Sequence, residues 1–387
     1  MANDAILQAA LKLSASVVRH ADALCSRVYS DVAANPTNGA LVGAKNDVIT
    51  CKVPKALTTT DVNPGTAQAQ EVKFLTKNLT LAYWKEAGFQ VNDAEFAEQV
   101  MAGLVPAELQ EAIKAVVHKV NADIHSLVWY KAPQIVSGAT GVLTDITSAR
   151  KVLNAQGVPG DQRSFVYGGK LDALYQALFN GPTAYNTDQA KVAAGQLGMK
   201  MGFYMAFDDA CDESVYTQGT VVQGDNPIIH SSTVHAVGAT SLLIANDNNG
   251  HTLLKGDTFT KAGDSQQYTV TEDTTITTGA TGALVPISPA NMVATTGSEA
   301  ITITRPTGAV CGLAFHKLGI NLVSRAPKSL QNVKNADIAT IVDPVTGLVL
   351  NLVHEWSHML NTYSVNCLYG IEIGSDPNLV CRVHHSA

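Results

Sequence analysis

The chain has 387 residues, of which 15% are charged and 46% hydrophobic, against roughly 25% charged in ordinary soluble domains. So little charge leaves a poor coat for a free surface, and suits a subunit that buries its exterior against copies of itself. The formal net charge is −7, with no run of Lys or Arg, which argues against direct high-affinity nucleic-acid binding.

In chain order, residues 3–33 place Ile6, Leu7, Ala10, Leu13, Val17, Ala21, Leu24 and Val28 three and four apart. That spacing predicts an amphipathic helix, with Asn3 or Asp4 as cap. It stops at Asn35-Pro36, where the proline ring disfavours helix in the residue before it. NDVITCKVP at 46–54 and EVKFLTKNLTLAYW at 71–84 read as two strands joined by the polar TTTDVNPGTAQAQ. Together they predict a long hairpin with no core of its own. From Asp93, and continuously after Pro106, Leu109, Ile113, Val116, Val117, Val120, Ile124 and Leu127 mark the longest helix. Shorter helices are expected at 145–156, 170–180 and 188–200, with strands at FVYGG and MGFYMAF between them.

Residues 226–305 are Thr- and Gly-rich, with short segments such as DTFT, QYTVT and AITIT, and predict a small all-β insertion. Strands then return around 310–325 and 365–383, with a turn at Asp343-Pro344. Six scattered cysteines without a CxxC pair predict reduced, buried thiols. Neither export nor a membrane span is expected, since there is no basic leader and no run of 18 apolar residues.

One string invites a catalytic reading. His354-Glu355-Trp356-Ser357-His358 matches HExxH, which on a helix puts two imidazoles one turn apart to hold zinc while the glutamate activates water. A third ligand is missing. Residues 361 and 364 are Asn and Ser, where one zinc-peptidase class carries Gly and His, and the only downstream glutamate, Glu372, sits in a strand-and-turn context. The string is therefore expected to be inert, with no catalytic residue, metal or cofactor. Asp208, Asp209, Asp212 and Glu213 read as a solvated acidic turn, and His384-His385 as a solvated tail. Neither Gly168-Gly169 nor Gly195–Gly202 has a phosphate-cradling pattern.

The order of elements resembles the major coat proteins of tailed phages, the Hong Kong 97 fold. More closely it resembles the coat family of short-tailed phages that carry a β-rich insertion. The strings are GAKNDVITCKVP (43–54), LTLAYWKEAGFQVNDAEFA (79–97), SARKVLNAQGVPGDQRSFVYGG (148–169), GMKMGFYMAFD (198–208), LLKGDTFTKAG (253–263), GLAFHKLGINLVSRAP (312–327), DPVTGLVLNLV (343–353) and VNCLYGIEIGSDPNLVCRV (365–383). The resemblance departs at the insertion, which is shorter than in the best-known members, and at Asn366, where an acidic residue is common.

What the resemblance implies is an α+β subunit divided into an N-terminal helical arm (1–38), an extended hairpin arm (39–92) and a spine helix region (93–131). An α/β axial and peripheral domain (132–225), the β insertion (226–305) and returning strands (306–387) follow. Residues 348–364 would be strands, removing His354 from helical geometry. The chain would be a non-enzymatic coat protein, associating with itself as pentamers and hexamers of an icosahedral shell around double-stranded DNA that it encloses without sequence-specific binding. Scaffolding and portal proteins would be partners, a decoration protein a further one, with assembly in the host bacterial cytoplasm and no membrane. Leu7 and Leu11 of the helix, and Phe74, Leu79, Leu81 and Trp84 of the hairpin, are the expected contacts with neighbouring subunits. A cellular nanocompartment shell of the same fold is the alternative; a zinc hydrolase is the remote one.

Overall fold

The protein is described from a computed structural model. The described residues are 25, 28–30, 42–54, 74–92, 105–180 and 197–385, interrupted at 209, 214, 231–232, 247–249, 277–281, 309, 329–335, 344–345 and 358–359. The N-terminal helix, with Leu7 and Leu11, and most of the segment expected as a helix at 188–200 lie outside them. That segment's end is a strand, Met199–Lys200.

The organising element is α1 (Val105–Val128). Its first turns bury Leu109, Ile113, Val116 and Val117 and expose Glu111, Lys114 and Lys119. From Val120 to His125 every residue is buried, because this half is wedged between two sheets. One sheet runs β1 (Tyr29–Ser30), β19 (Ile320–Pro327), β22 (Leu360–Ile373), β21 (Val349–Ser357), β20 (Ala336–Val342). Two further strands join it: β2 (Val42–Gly43) pairs β19, and β5 (Tyr83–Asn92) pairs β22. Strict alternation in β5 turns Tyr83, Ala87, Phe89 and Val91 to the α1 side and Trp84, Glu86 and Gln90 away.

The second sheet runs β6 (Gln134–Ala139), β23 (Val380–His385), β18 (Val310–His316), β7 (Arg163–Tyr167), β9 (Phe203–Phe207), β8 (Met199–Lys200). One face of it meets α1 through Val166, Leu313 and Phe315. The other, through Phe165, Tyr167 and Ala314, packs on α2 (Leu143–Ala155) and α3 (Gly169–Asn180). Asp145 fixes the entry to α2 by accepting from the backbone N–H groups of Thr140, Gly141 and the N-cap Val142 at 2.8–3.0 Å, which satisfies the N-cap donor and the two in the loop before it.

Two expectations fail here. His384 and His385 are not a solvated tail: they are the last residues of β23, 0% and 1% exposed, paired with Cys311 and Val310. Asp208 is not solvated either. It is buried at the start of α4 (Ala210–Glu213), accepting from Ala210 N–H at 3.0 Å, because the chain leaves β9 inward beneath α1.

Between β9 and β18 the chain builds a third unit with its own core. A sheet of β10 (Ile228–Ile229), β11 (Ser241–Ala245), β16 (Ala283–Ser288), β14 (Tyr268–Val270), β13 (Thr258–Lys261) and β17 (Ile301–Thr304) is accompanied by the pair β12 (Thr252–Leu253) and β15 (Thr274–Thr275). Leu242, Ile244, Phe259, Tyr268, Val270, Val285 and Ile301 fill it. The four described free cysteines, Cys25, Cys211, Cys367 and Cys381, are buried, and burial pushes three of the thiols, Cys25, Cys367 and Cys381, up to about 12. No helix among the described residues is long and apolar enough to cross a membrane.

Candidate inter-subunit surface and the histidine motif

The hairpin is β3 (Val48–Pro54) paired antiparallel with β4 (Phe74–Thr80), in register from Val48↔Thr80 to Pro54↔Phe74. Among the described residues it forms a sheet of two strands only. At its base Ile49 and Leu79, directly opposite each other, face inward, while Val48, Thr50, Asn78 and Thr80 are exposed. Leu79 and Leu81, 1% and 0% exposed, pack on Val323 of β19 and Leu368 of β22.

This corrects the expectation that Leu79 and Leu81 need a neighbouring subunit for burial. Sequence spacing does not reveal that β5 continues directly into the main sheet and draws the hairpin base down onto it. Trp84 is 39% exposed and Val48 is 59% exposed, so the apolar surface offered outward sits on the opposite face of the hairpin and beside it. Phe74 closes the ladder opposite Pro54, and its side chain falls outside the described ones.

Residues 354–357 of the HExxH string lie on β21, not on a helix. Strand alternation buries His354 and exposes Glu355 on opposite faces, so imidazole and carboxylate cannot converge on one ion. His354 is instead one rung of a cross-strand column. In register, Asp337, His354, Tyr363 and Phe89 lie side by side across four strands. The His354 ring stacks on Tyr363 at 4.4 Å and 10°, and Tyr363 stacks on Phe89 at 5.3 Å. Trp356 Nε1 donates to His354 Nε2 at 2.6 Å, which occupies one of the two ring nitrogens that could ligate a metal. His358 lies outside the described residues, and none of these groups three or more metal-ligating side chains together.

Accordingly, Glu355→Gln should leave stability within about 0.5 kcal/mol, as for an exposed side chain. His354→Ala should cost about 0.5–1.5 kcal/mol from the lost stack. Urea denaturation checks both, and stoichiometric zinc in the purified protein by elemental analysis would contradict the assignment.

The second concentration of chemistry was not read from the sequence. It joins the insertion to the core at Asp257, whose carboxylate is 1% exposed. Arg305 grips it with two nitrogens at 3.1 and 3.3 Å, Tyr216 donates its hydroxyl at 2.6 Å, and the N–H groups of Gly219 and Leu254 donate at 3.2 and 3.0 Å. Burial, then the Asp257 charge, pushes the Tyr216 phenol well above its ordinary range. Beside it, Arg382 is fully buried in β23, its guanidinium donating to Gly256 O at 2.9 Å and lying over the Trp129 ring. Gly256 has φ +91°, and a Cβ there would meet Trp129 at 2.9 Å; only glycine allows this approach. No spacing rule marks such a junction, because its members come from four distant segments.

His384, next to Arg382 and edge-on to Tyr216 at 5.2 Å, is pushed down to about 3, first by burial and then by the Arg382 charge. Burial likewise lowers His316 and His235. Between the unfolded histidine value near 6.5 and the folded value near 3, the unfolded chain binds more protons, so stability falls as pH drops through that window. Urea midpoints measured from pH 7 to 4 should decline, and His384→Gln should flatten the decline.

A groove of about 850 Å³ runs between the end of α1, the loop after β16 and the 374–378 turn. Lys131 and Glu372 in its wall already pair with each other at 2.6 Å, so it presents no unmatched charge from that pair.

No family model matches the sequence, and no curated protein matches it. Solved structures do. A Mycobacterium phage Che8 chain is 12% identical, with TM-score 0.43, covering 92% of this chain and 89% of its own. The virus-like particle of Pyrococcus furiosus is 7% identical, with TM-score 0.42 and 97% of each chain covered. A chain of the cyanophage P-SCSP1u capsid is 8% identical, with TM-score 0.37, covering 89% and 85%.

Proposed function

We propose that this chain is the major capsid subunit of a tailed phage, of Hong Kong 97 type with a β insertion, building an icosahedral shell from pentamers and hexamers. The observation that carries the reading is the hairpin. Seven consecutive pairs from Val48↔Thr80 to Pro54↔Phe74 form a ladder whose only strand partners among the described residues are each other, rooted at one end by Leu79 and Leu81. A two-stranded ribbon is marginal alone in water, so its distal part is a structure waiting for another surface. Low charge and the family resemblance of the ordered strings point the same way. A heterologous contact repeated with closing curvature gives a finite shell. Enclosed double-stranded DNA, scaffolding and portal partners, a decoration protein, and residence in the virion after cytoplasmic assembly belong to this proposal.

Negative-stain electron microscopy of the purified chain, alone and with a co-expressed scaffolding protein, tests it. Closed particles or rings are expected. A monomer by sedimentation velocity under both conditions would overturn the reading, and closed particles loaded with an enzyme cargo would favour the nanocompartment.

A further inference from the structure

We propose that Lys261 and Asn291 in the β insertion form an intramolecular isopeptide bond, with Asp264 as the catalytic carboxyl. Lys261 ends β13, and its side chain is only 2% exposed. Its Nζ lies 2.5 Å from Asn291 Oδ1, and it also contacts Val293 O. The Asp264 carboxylate, 5% exposed, lies 3.5 Å from the same nitrogen. A buried lysine, a buried carboxamide and a buried carboxyl thus meet with little water between them.

The amide is held for attack. Asn291 Nδ2 donates to His235 O at 3.2 Å and Ala236 O at 3.0 Å, so acceptors surround the nitrogen and the oxygen is turned to Lys261. Its backbone is fixed on both sides, donating to Ala239 O and accepting from Gly238 N–H, each at 2.8 Å. Tyr268 aims the carboxyl: its hydroxyl donates to Asp264 Oδ2 at 2.6 Å and accepts from Met292 N–H at 3.0 Å.

The chemistry balances without an oxidant or cofactor. A proton passes from the Lys261 ammonium to Asp264, removing two charges from a site poor in water. The freed Nζ lone pair attacks Asn291 Cγ and forms the new C–N bond. Asp264 gives its proton to Nδ2 and takes one from Nζ; the Cγ–Nδ2 bond then breaks and ammonia leaves. Holding the amine against the carboxamide, with Nζ on Asn291 Oδ1, supplies the high effective concentration that such aminolysis needs. The product staples β13 to the loop after β16, across 30 positions of chain. This inference stands apart from the capsid reading.

Intact-mass spectrometry of the full chain, followed by tryptic mapping, decides it. The expected mass is short by one ammonia. Trypsin should fail after Lys261 and yield one loop-linked peptide spanning 256–317, since Pro306 blocks cleavage after Arg305. Asp264→Asn and Lys261→Arg should each restore the full mass, with the strand signal in circular dichroism retained for Asp264→Asn. An unmodified wild-type mass with normal cleavage after Lys261 overturns the proposal. So does an ammonia loss mapped to another asparagine, or one that persists in Lys261→Arg.

Discussion

Asp257→Ala should cost about 3–5 kcal/mol of subunit stability, the range for breaking a buried charge pair by removing one partner. The carboxylate collects five donors from Arg305, Tyr216, Gly219 and Leu254. Truncation strands the Arg305 guanidinium, whose side chain is 14% exposed, and leaves the Tyr216 hydroxyl without its acceptor. Against a total of about 5–15 kcal/mol for a typical domain, this is a large fraction. Urea denaturation of the purified subunit measures it, and limited proteolysis should cut first near 217–225 or 305–308, where the insertion joins the core. The double variant Asp257→Ala with Arg305→Met should recover part of the loss, because the Arg305 charge is then no longer left without its partner. A single-variant cost under about 1 kcal/mol would show that the junction is held by something else.

How much of this was legible in the sequence depends on the range of the interactions. α1 is readable because seven apolar residues repeat at helical spacing over about five turns, and the structure buries six of them while Leu127 is half-buried. The all-β character of 226–305 is readable from Thr-rich alternation. The fate of Leu79 and Leu81 is not, since their partners Val323 and Leu368 lie more than 240 residues away. His384 and His385 look like a tail because nothing local shows β18 and β6 flanking them. The HExxH string is a local pattern whose meaning is set by a non-local fact: strand pairing of β21 between β20 and β22 imposes a two-residue period and separates His354 from Glu355. Asp257, Arg305, Tyr216 and Arg382 carry no shared spacing at all, and in the hairpin the face a residue takes, not its apolar character, decides whether it is buried within the subunit.

That last distinction yields the sharpest expectation for function. Leu79→Asp should collapse the hairpin base and destabilise the subunit itself. It forfeits at least the roughly 2–5 kcal/mol of a buried leucine truncation, and it sets an unpaired carboxylate against Val323 and Leu368. Val48→Asp is the contrasting case. Val48 lies on the same hairpin, one position from Ile49, but on the outward face and 59% exposed, so the subunit's urea midpoint should hardly move, within about 0.5 kcal/mol. If the outward face is where a neighbouring copy sits, that one charge recurs at every contact in the shell and particle formation should fail by sedimentation and electron microscopy. A subunit of normal stability that no longer assembles would separate the two faces of one strand into folding and association. Normal particles from Val48→Asp would place the shell contact elsewhere, and a Leu79→Asp subunit with an unchanged midpoint would mean that the hairpin base contributes nothing to the fold it rests on.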